Sequence, residues 1–297
     1  MDETTLERYV RAGVIARKAL DAAAGRVAEG IKLADVVAEA EGIIKDSGAG
    51  VAFPMNISID AIAAHYTPVP DDLTVFERGQ VVKLDLGAHV DGCIADTAAT
   101  VEVSTSDNTP MVNASREALR AAIELVQPGV RLEHVGKVIE DTIRDAGFSP
   151  IINLTGHTMR SWELHAGKSV YNVRRPGATV LEKGEVVAIE PFATNGEGRV
   201  GDSSLSDIYR IVGPGKVRMR TARKILDTVL KEYRTLPFAR RMLVERFGLA
   251  QTTIALKQLV VSRALHNYSI LKEHGNGIVT QAEHTVVVLD DPIVTTR

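Results

Sequence analysis

The chain has 297 residues, 35 of them Lys or Arg and 38 Asp or Glu, for a formal net charge of −3. That length can bury a full core, as one large domain or two smaller ones, and the near balance of charge gives no global pull towards nucleic acid or membrane. No apolar run approaches the length needed to cross a bilayer, and the single cysteine, Cys93, excludes an internal disulfide. The acidic start MDETTLERYV is unlike a secretory or mitochondrial leader. A soluble cytoplasmic protein is expected.

In chain order, Leu6, Val10 and Val14 predict an amphipathic helix, and Val36, Ala40, Ile43 and Ile44 a second, closed at Ser47-Gly48. The stretch from Gln80 to Val101 reads as a β-hairpin turning at Asp91-Gly92. With that turn, or one slipped by a full pleat, Asp85 and Asp96 share a face and stand directly or diagonally opposite each other. Leu119, Ile123 and Val126 predict a third helix, and Leu132, Val135, Ile139 and Ile143 a fourth. His157 follows a short apolar strand, and Glu190 ends another that Pro191 stops from continuing. From about Gly213 to Gly275 the pattern turns helical, with Ala222, Leu226 and Val229 on one face and Pro237 placed to open a further helix. Its basic run (Lys216, Arg218, Arg220, Arg223, Lys224) reads as a solvated face, with a ribosomal or RNA contact as the alternative. Thr285 to Leu289 is a buried strand, preceded by Gln281-Ala282-Glu283-His284.

Two parts of this order repeat. G-I-K-L-x-x-V with I-K-D-S-G, starting at Gly30, is answered by G-V-R-L-x-x-V with I-R-D-A-G, starting at Gly129. The strand Gly79–Asp85 (GQVVKLD) is answered by Gly184–Glu190 (GEVVAIE), an acid ending each. Two copies of a unit of two helices followed by strands would pack their sheets together with helices outside. Asp85 and Glu190 would then meet near a pseudo-twofold axis, and the region without a counterpart would be an inserted helical subdomain. The expected class is α+β.

Two aspartates facing each other among Val, Leu, Ile and Ala are costly unless something positive sits between them. With His157, Glu190 and Glu283 added, the donor set is one imidazole and four carboxylates. That is more than one tetrahedral zinc takes, and it suits two divalent ions bridged by carboxylates, such as Mn, Fe, Co or Zn. Taken singly, Asp85 or Asp96 is more often a cap or turn residue, Glu190 and Glu283 salt-bridge partners, and His157 a core histidine. His65 and His165 would flank such metals, orient a substrate and steady its transition state. Cys93 reads as a small apolar filler. His89, His134, His266, His274 and His284 receive no role.

At these residues the chain resembles the methionine aminopeptidases of type II, in the short archaeal-like form. The segments that carry the resemblance are FPMNISIDAIAAHYTP (53–68), DLGAHVDGCIADTA (85–98), NLTGHTMRSWELHAGK (153–168), EVVAIEPFAT (185–194) and TQAEHT (280–285). The resemblance implies the pita-bread fold over residues 1–297, with 213–275 as the insertion characteristic of type II. It implies Asp85, Asp96, His157, Glu190 and Glu283 as ligands of two divalent ions, and His65 and His165 as auxiliary histidines. Phe53, Leu164 and Tyr268 would help line the methionine side-chain pocket. The implied reaction removes N-terminal methionine from nascent polypeptides with a small second residue, by attack of a dimetal-bridging hydroxide, with Glu283 favoured as proton relay. A monomer that associates with the ribosome is expected, without membrane or specific nucleic-acid partners. The rival readings are a proline-directed peptidase on the same fold and a metal-free binding protein.

Overall fold

A computed structural model describes residues 1–215 and 217–297; Lys216, one of the basic run, lies outside the described residues. The first half contributes α1 (Glu3–Arg26), α2 (Leu33–Asp46), β1 (Gly50–Ile59), β2 (Ile62–Ala64), β3 (Val81–Val90) and β4 (Cys93–Glu102). The second begins with α3 (Thr109–Glu124) and α4 (Leu132–Asp145). Strands β5 (Ser149–Pro150), β6 (Thr155–Met159), β7 (Ser169–Tyr171), β8 (Val186–Ile189), β9 (Phe192–Thr194) and β10 (Val200–Ile211) follow. After these come α5 (Arg220–Glu232), β11 (Phe238–Ala239), α6 (Arg241–Phe247) and α7 (Leu249–Val261). The chain closes with β12 (Leu265–Glu273), β13 (Val279–Gln281), β14 (His284–Val287) and β15 (Ile293–Val294). Every named strand pairing is antiparallel.

The internal repeat is visible in the backbone. Gly30, Gly48 and Gly79 in the first half, and Gly129, Gly147 and Gly184 in the second, all adopt positive φ. These sites flank the second helix of each half and precede its acid-bearing strand, where only glycine enters the left-handed region without strain. The residue before each second helix also makes the same isolated bridge, Lys32 to Val75 and Arg131 to Val180. In each half the helix pair packs on its own sheet. Val36, Val37, Ala40 and Ile44 meet Leu84 and Leu86 on one side, and Val135, Ile139 and Ile143 meet Val187 and Ile189 on the other.

Three sequence expectations need correction. The buried face of α1 is not the Leu6, Val10, Val14 stripe, for Val14 is 57% exposed. The covered face is Ala12, Gly13, Ala16, Ala19 and Ala23 with Ile15 and Leu20. Small residues let the helix lie close: a Cβ at Gly13 would sit 2.1 Å from the Thr295 carbonyl oxygen. Pro237 does not open a helix, because Phe238 and Ala239 pair with Tyr209 and Ile208 at a sheet edge and α6 starts only at Arg241. The stretch 213–275 is helical over Arg220–Glu232, Arg241–Phe247 and Leu249–Val261, but Leu265–Glu273 is a strand that runs along β10.

The three helices α5, α6 and α7 have their own apolar core of Ala222, Ile225, Leu226, Val229, Leu243, Leu256 and Leu259. They are fixed to the rest by charge. Arg241 on α6 pairs with the buried Glu41 of α2 and donates to Thr67 at 2.6 Å, and Arg240 pairs with Asp207 of β10 at 3.1 Å. Removing Arg241 strands the Glu41 carboxylate in the interior. Arg241→Ala is therefore expected to lower unfolding stability in urea by about 3–5 kcal/mol; a loss below ~1 kcal/mol, the range of exposed pairs, would contradict this anchoring.

Candidate metal centre

The hairpin sets the first two carboxylates. Val90 pairs with Cys93 across the two-residue turn Asp91-Gly92, whose positive φ values of 50° and 86° fit a type I′ turn. That register places Asp85 opposite Ala98 and Asp96 opposite Gly87, so the two carboxylates are diagonal neighbours on one face. Gly87 is required here, since a Cβ would lie 2.5 Å from the Phe53 ring.

The other acids come from breaks in the ladders. Glu190 sits between β8 and β9, where Pro191 interrupts the strand, and Glu283 sits between β13 and β14. A line of threonines ties the Glu283 segment to β4. The Asp96 amide donates to Thr285 Oγ1, which donates in turn to the Asp96 carbonyl, both at 2.8 Å. Thr97 Oγ1 donates to the Glu283 carbonyl at 3.0 Å, and the Glu283 amide to the Ala98 carbonyl at 3.0 Å. Thr100 Oγ1 donates to the Gln281 carbonyl at 2.7 Å. His157 lies mid-strand in β6, between β7 and β8, rather than at a strand end, because ladders continue on both sides of it. A Cβ at the preceding Gly156 would meet the Ala188 carbonyl oxygen at 2.3 Å.

These elements bring the groups together. His157 Nε2 is 3.6 Å from both Asp96 Oδ2 and Glu190 Oε1, and donor atoms of Asp96, His157 and Glu283 lie within 4.8 Å of one another. Gln281 Nε2 reaches Asp85 Oδ2 at 3.2 Å and Glu190 Oε2 at 3.4 Å, bridging an acid from each half. Asp85 Oδ1, Asp96 Oδ1 and both Glu283 oxygens are buried without a hydrogen-bond partner. None of the described residues lining the cavity is Lys or Arg.

Burial lifts the Asp85 carboxyl to about 7. Burial and the neighbouring acids push Asp96, Glu190 and Glu283 well above the usual carboxylate range. Burial, with His165 beside it, keeps His157 neutral. Orphaned carboxylate oxygens around a neutral imidazole are a donor set that fits divalent cations of hard or borderline character.

All ten residues picked out from the sequence (Phe53, His65, Asp85, Asp96, His157, Leu164, His165, Glu190, Tyr268, Glu283) line one cavity of about 220 Å³. Such a volume is below the ~300–1,000 Å³ of drug-sized sites and takes one side chain. His65 holds a left-handed backbone, φ 67°, costly for a non-glycine and a mark of functional sites. Its Nδ1 is 3.1 Å from the Ser269 carbonyl oxygen, so that nitrogen carries the proton of the neutral ring and Nε2 is the acceptor. His165 lies against His157, ring centroids 4.2 Å apart and ring planes tilted by 42°. Sequence reasoning missed Asn56, Phe192, Ile208, Pro237 and Leu271 in the wall, and the bridging role of Gln281. Only Gln281, two residues before Glu283, carried a signal. Cys93 is buried with Tyr9, Ala52 and Ile94, away from the cavity wall.

The profile of metallopeptidase family M24 matches residues 7–288. This chain belongs to that family. It is 46% identical over 290 residues to a methionine aminopeptidase of Archaeoglobus fulgidus, covering 98% of this chain and 97% of the relative. Among solved structures it is similar to a thermophilic Arx1, with a TM-score of 0.85 at 19% identity over 99% of this chain and 91% of the other. A methionine aminopeptidase of Thermotoga maritima superposes with a TM-score of 0.73 at 22% identity, over 100% and 98% of the two chains. The architecture is the pita-bread fold, and M24 membership brings divalent-metal use with it. Among the described residues no helix is long and apolar enough to cross a membrane.

A carboxyl whose folded pKa is raised favours folding while protonated and loses that contribution as pH rises from its unfolded value, about 4, through its folded one. For Asp85 the window closes near 7. Metal-free protein should lose thermal stability on account of these acids across that range, and the rise in Tm on adding Mn²⁺ should grow from pH 5 to pH 7.5 as the ligands deprotonate. A manganese-induced rise that is constant or shrinks over that range would contradict this.

Proposed function

We propose that this chain is a metal-dependent methionine aminopeptidase that removes the N-terminal methionine of nascent proteins when the second residue is small. The observation that carries the reading is the convergence of four carboxylates and one imidazole in a cavity sized for one side chain, in a chain similar to methionine aminopeptidases along nearly its whole length. Asp85, Asp96, His157, Glu190 and Glu283 would hold two divalent ions, of Co, Mn, Fe or Zn. When bound, such ions acidify water and polarise a carbonyl.

The remaining work falls to side chains. Phe53, Leu164 and Tyr268, with Phe192 and Ile208 beside them, offer the apolar surface that suits an unbranched, polarisable methionine. Neutral His65 accepts the N–H of the second residue through Nε2, which fixes the scissile amide. His165, packed against His157, donates to the carbonyl oxygen as negative charge develops on it. Glu283 takes a proton from the attacking water and returns it to the leaving amine. Limited room beside the scissile bond would favour Gly, Ala or Ser at position two.

Within residues 213–275, the helices α5, α6 and α7 serve as the insertion that marks the archaeal-like type II form. Its exposed arginines Arg218, Arg220 and Arg223 are the contact for ribosome association, and the enzyme acts as a cytoplasmic monomer. Replacing all three with alanine should release the protein from co-sedimenting ribosomes at physiological salt; unchanged co-sedimentation would exclude that role.

Manganese-loaded protein should release methionine from Met-Ala-Ser and leave Ala-Pro peptides intact. Proline-dependent cleavage would favour a prolidase-like activity, and cleavage of neither would overturn the proposal. His65→Ala should keep its metal content and lose turnover by roughly 10²- to 10³-fold; a parallel loss of metal would make His65 a ligand instead.

A further inference from the structure

The cavity opens into a second compartment for which the reaction above has no use. It is larger, about 690 Å³, and Leu164, His165, Pro237 and Tyr268 line both spaces. Its wall also carries Arg210 on β10 and His266 on β12. These two are direct cross-strand partners, so their side chains stand on the same face of the sheet. His266 meets Tyr268 edge to face at 5.1 Å, and Tyr268 meets His65 the same way at 5.2 Å. A row of rings therefore leads from the outer compartment to His65.

Arg210 is exposed at the head of that row. Among the described lining residues Glu163 is the one acid, and no ion pair between it and Arg210 is formed. Arg234, which could add to the field, is stacked on the Trp162 ring at 4.1 Å. A polypeptide held by its first residue at the inner cavity advances about 3.3 Å per residue when extended. A chain leaving the inner cavity through the shared wall would lay its next few residues in the outer compartment.

We infer that this compartment binds the third and fourth residues of the substrate chain, and that Arg210 selects an acidic side chain there. The inference rests on the aminopeptidase reading of the inner cavity. An exposed ion pair of this kind is worth roughly a two- to fivefold advantage in kcat/KM.

The test compares the manganese-loaded enzyme on Met-Ala peptides carrying Glu or Gln at position three or four, at pH 7.5 and low salt. Glu should exceed Gln at one of these positions by the stated factor. The ratio should fall to one or below in Arg210→Gln, where Glu163 remains on the compartment wall, and should invert in Arg210→Glu. It should also shrink in the unaltered enzyme as salt is raised to about 0.5 M, a readout that does not depend on the variants folding. Equal rates for Glu and Gln, or an advantage that survives both Arg210→Gln and high salt, would overturn the selection. Release of methionine without charge preference overturns this inference alone, whereas no release from any peptide brings down the reading of the inner cavity as well.

Discussion

Four carboxylates share a space in which at least two of them lie within about 5 Å of each other and of a neutral imidazole. At an effective dielectric of about 20, two ionised acids at that separation repel by roughly 3–4 kcal/mol. No Lys or Arg among the described lining residues offsets this. An interior of this kind is stable in only two ways: with protons on the acids, or with cations among them. The raised proton affinities of Asp85, Asp96, Glu190 and Glu283 are the first way, and divalent metal is the second. The chemistry proposed for the chain and the electrostatic problem of its core are thus one fact.

Much of the fold serves to hold that arrangement against its own repulsion. The antiparallel hairpin β3–β4 fixes Asp85 and Asp96 by register, and the Thr97, Thr100 and Thr285 hydroxyls fasten β4 to the segment bearing Glu283. Gln281 reaches across to one acid of each half. The pseudo-twofold repeat makes this economical, because the same glycine-strand-acid unit delivers Asp85 in one half and Glu190 in the other. The helices of the insertion lie outside this symmetry, tied on through Arg241 and Arg240. The strands on either side of them bring Tyr268 to the cavity wall and Arg210 to the wall of the larger compartment beside it.

What could be read from the sequence was what depends on short-range pattern. Asp91-Gly92 pointed to a turn that keeps Asp85 and Asp96 on one face, and the observed register is the diagonal one of the two it allowed. The repeat could be read because its glycines need positive φ and so cannot drift freely. The stripe of α4, Leu132, Val135, Ile139 and Ile143, is wholly covered as its spacing implies. Other features depend on partners far along the chain. The face of α1 follows alanines and a glycine that fit against Thr295, which hydrophobicity does not flag. Phe238 and Leu265–Glu273 are strands because β10 offers them an edge, although their surroundings are helical. Gln281 and Arg210 acquire meaning only when the groups beside them are known.

The most direct measurement is diffraction from crystals grown with manganese, with anomalous differences recorded at the manganese edge. The account predicts two peaks about 3.5–4 Å apart, enclosed by Asp85, Asp96, His157, Glu190 and Glu283. Peaks elsewhere, or those five side chains apart from one another with no metal between them, would contradict it.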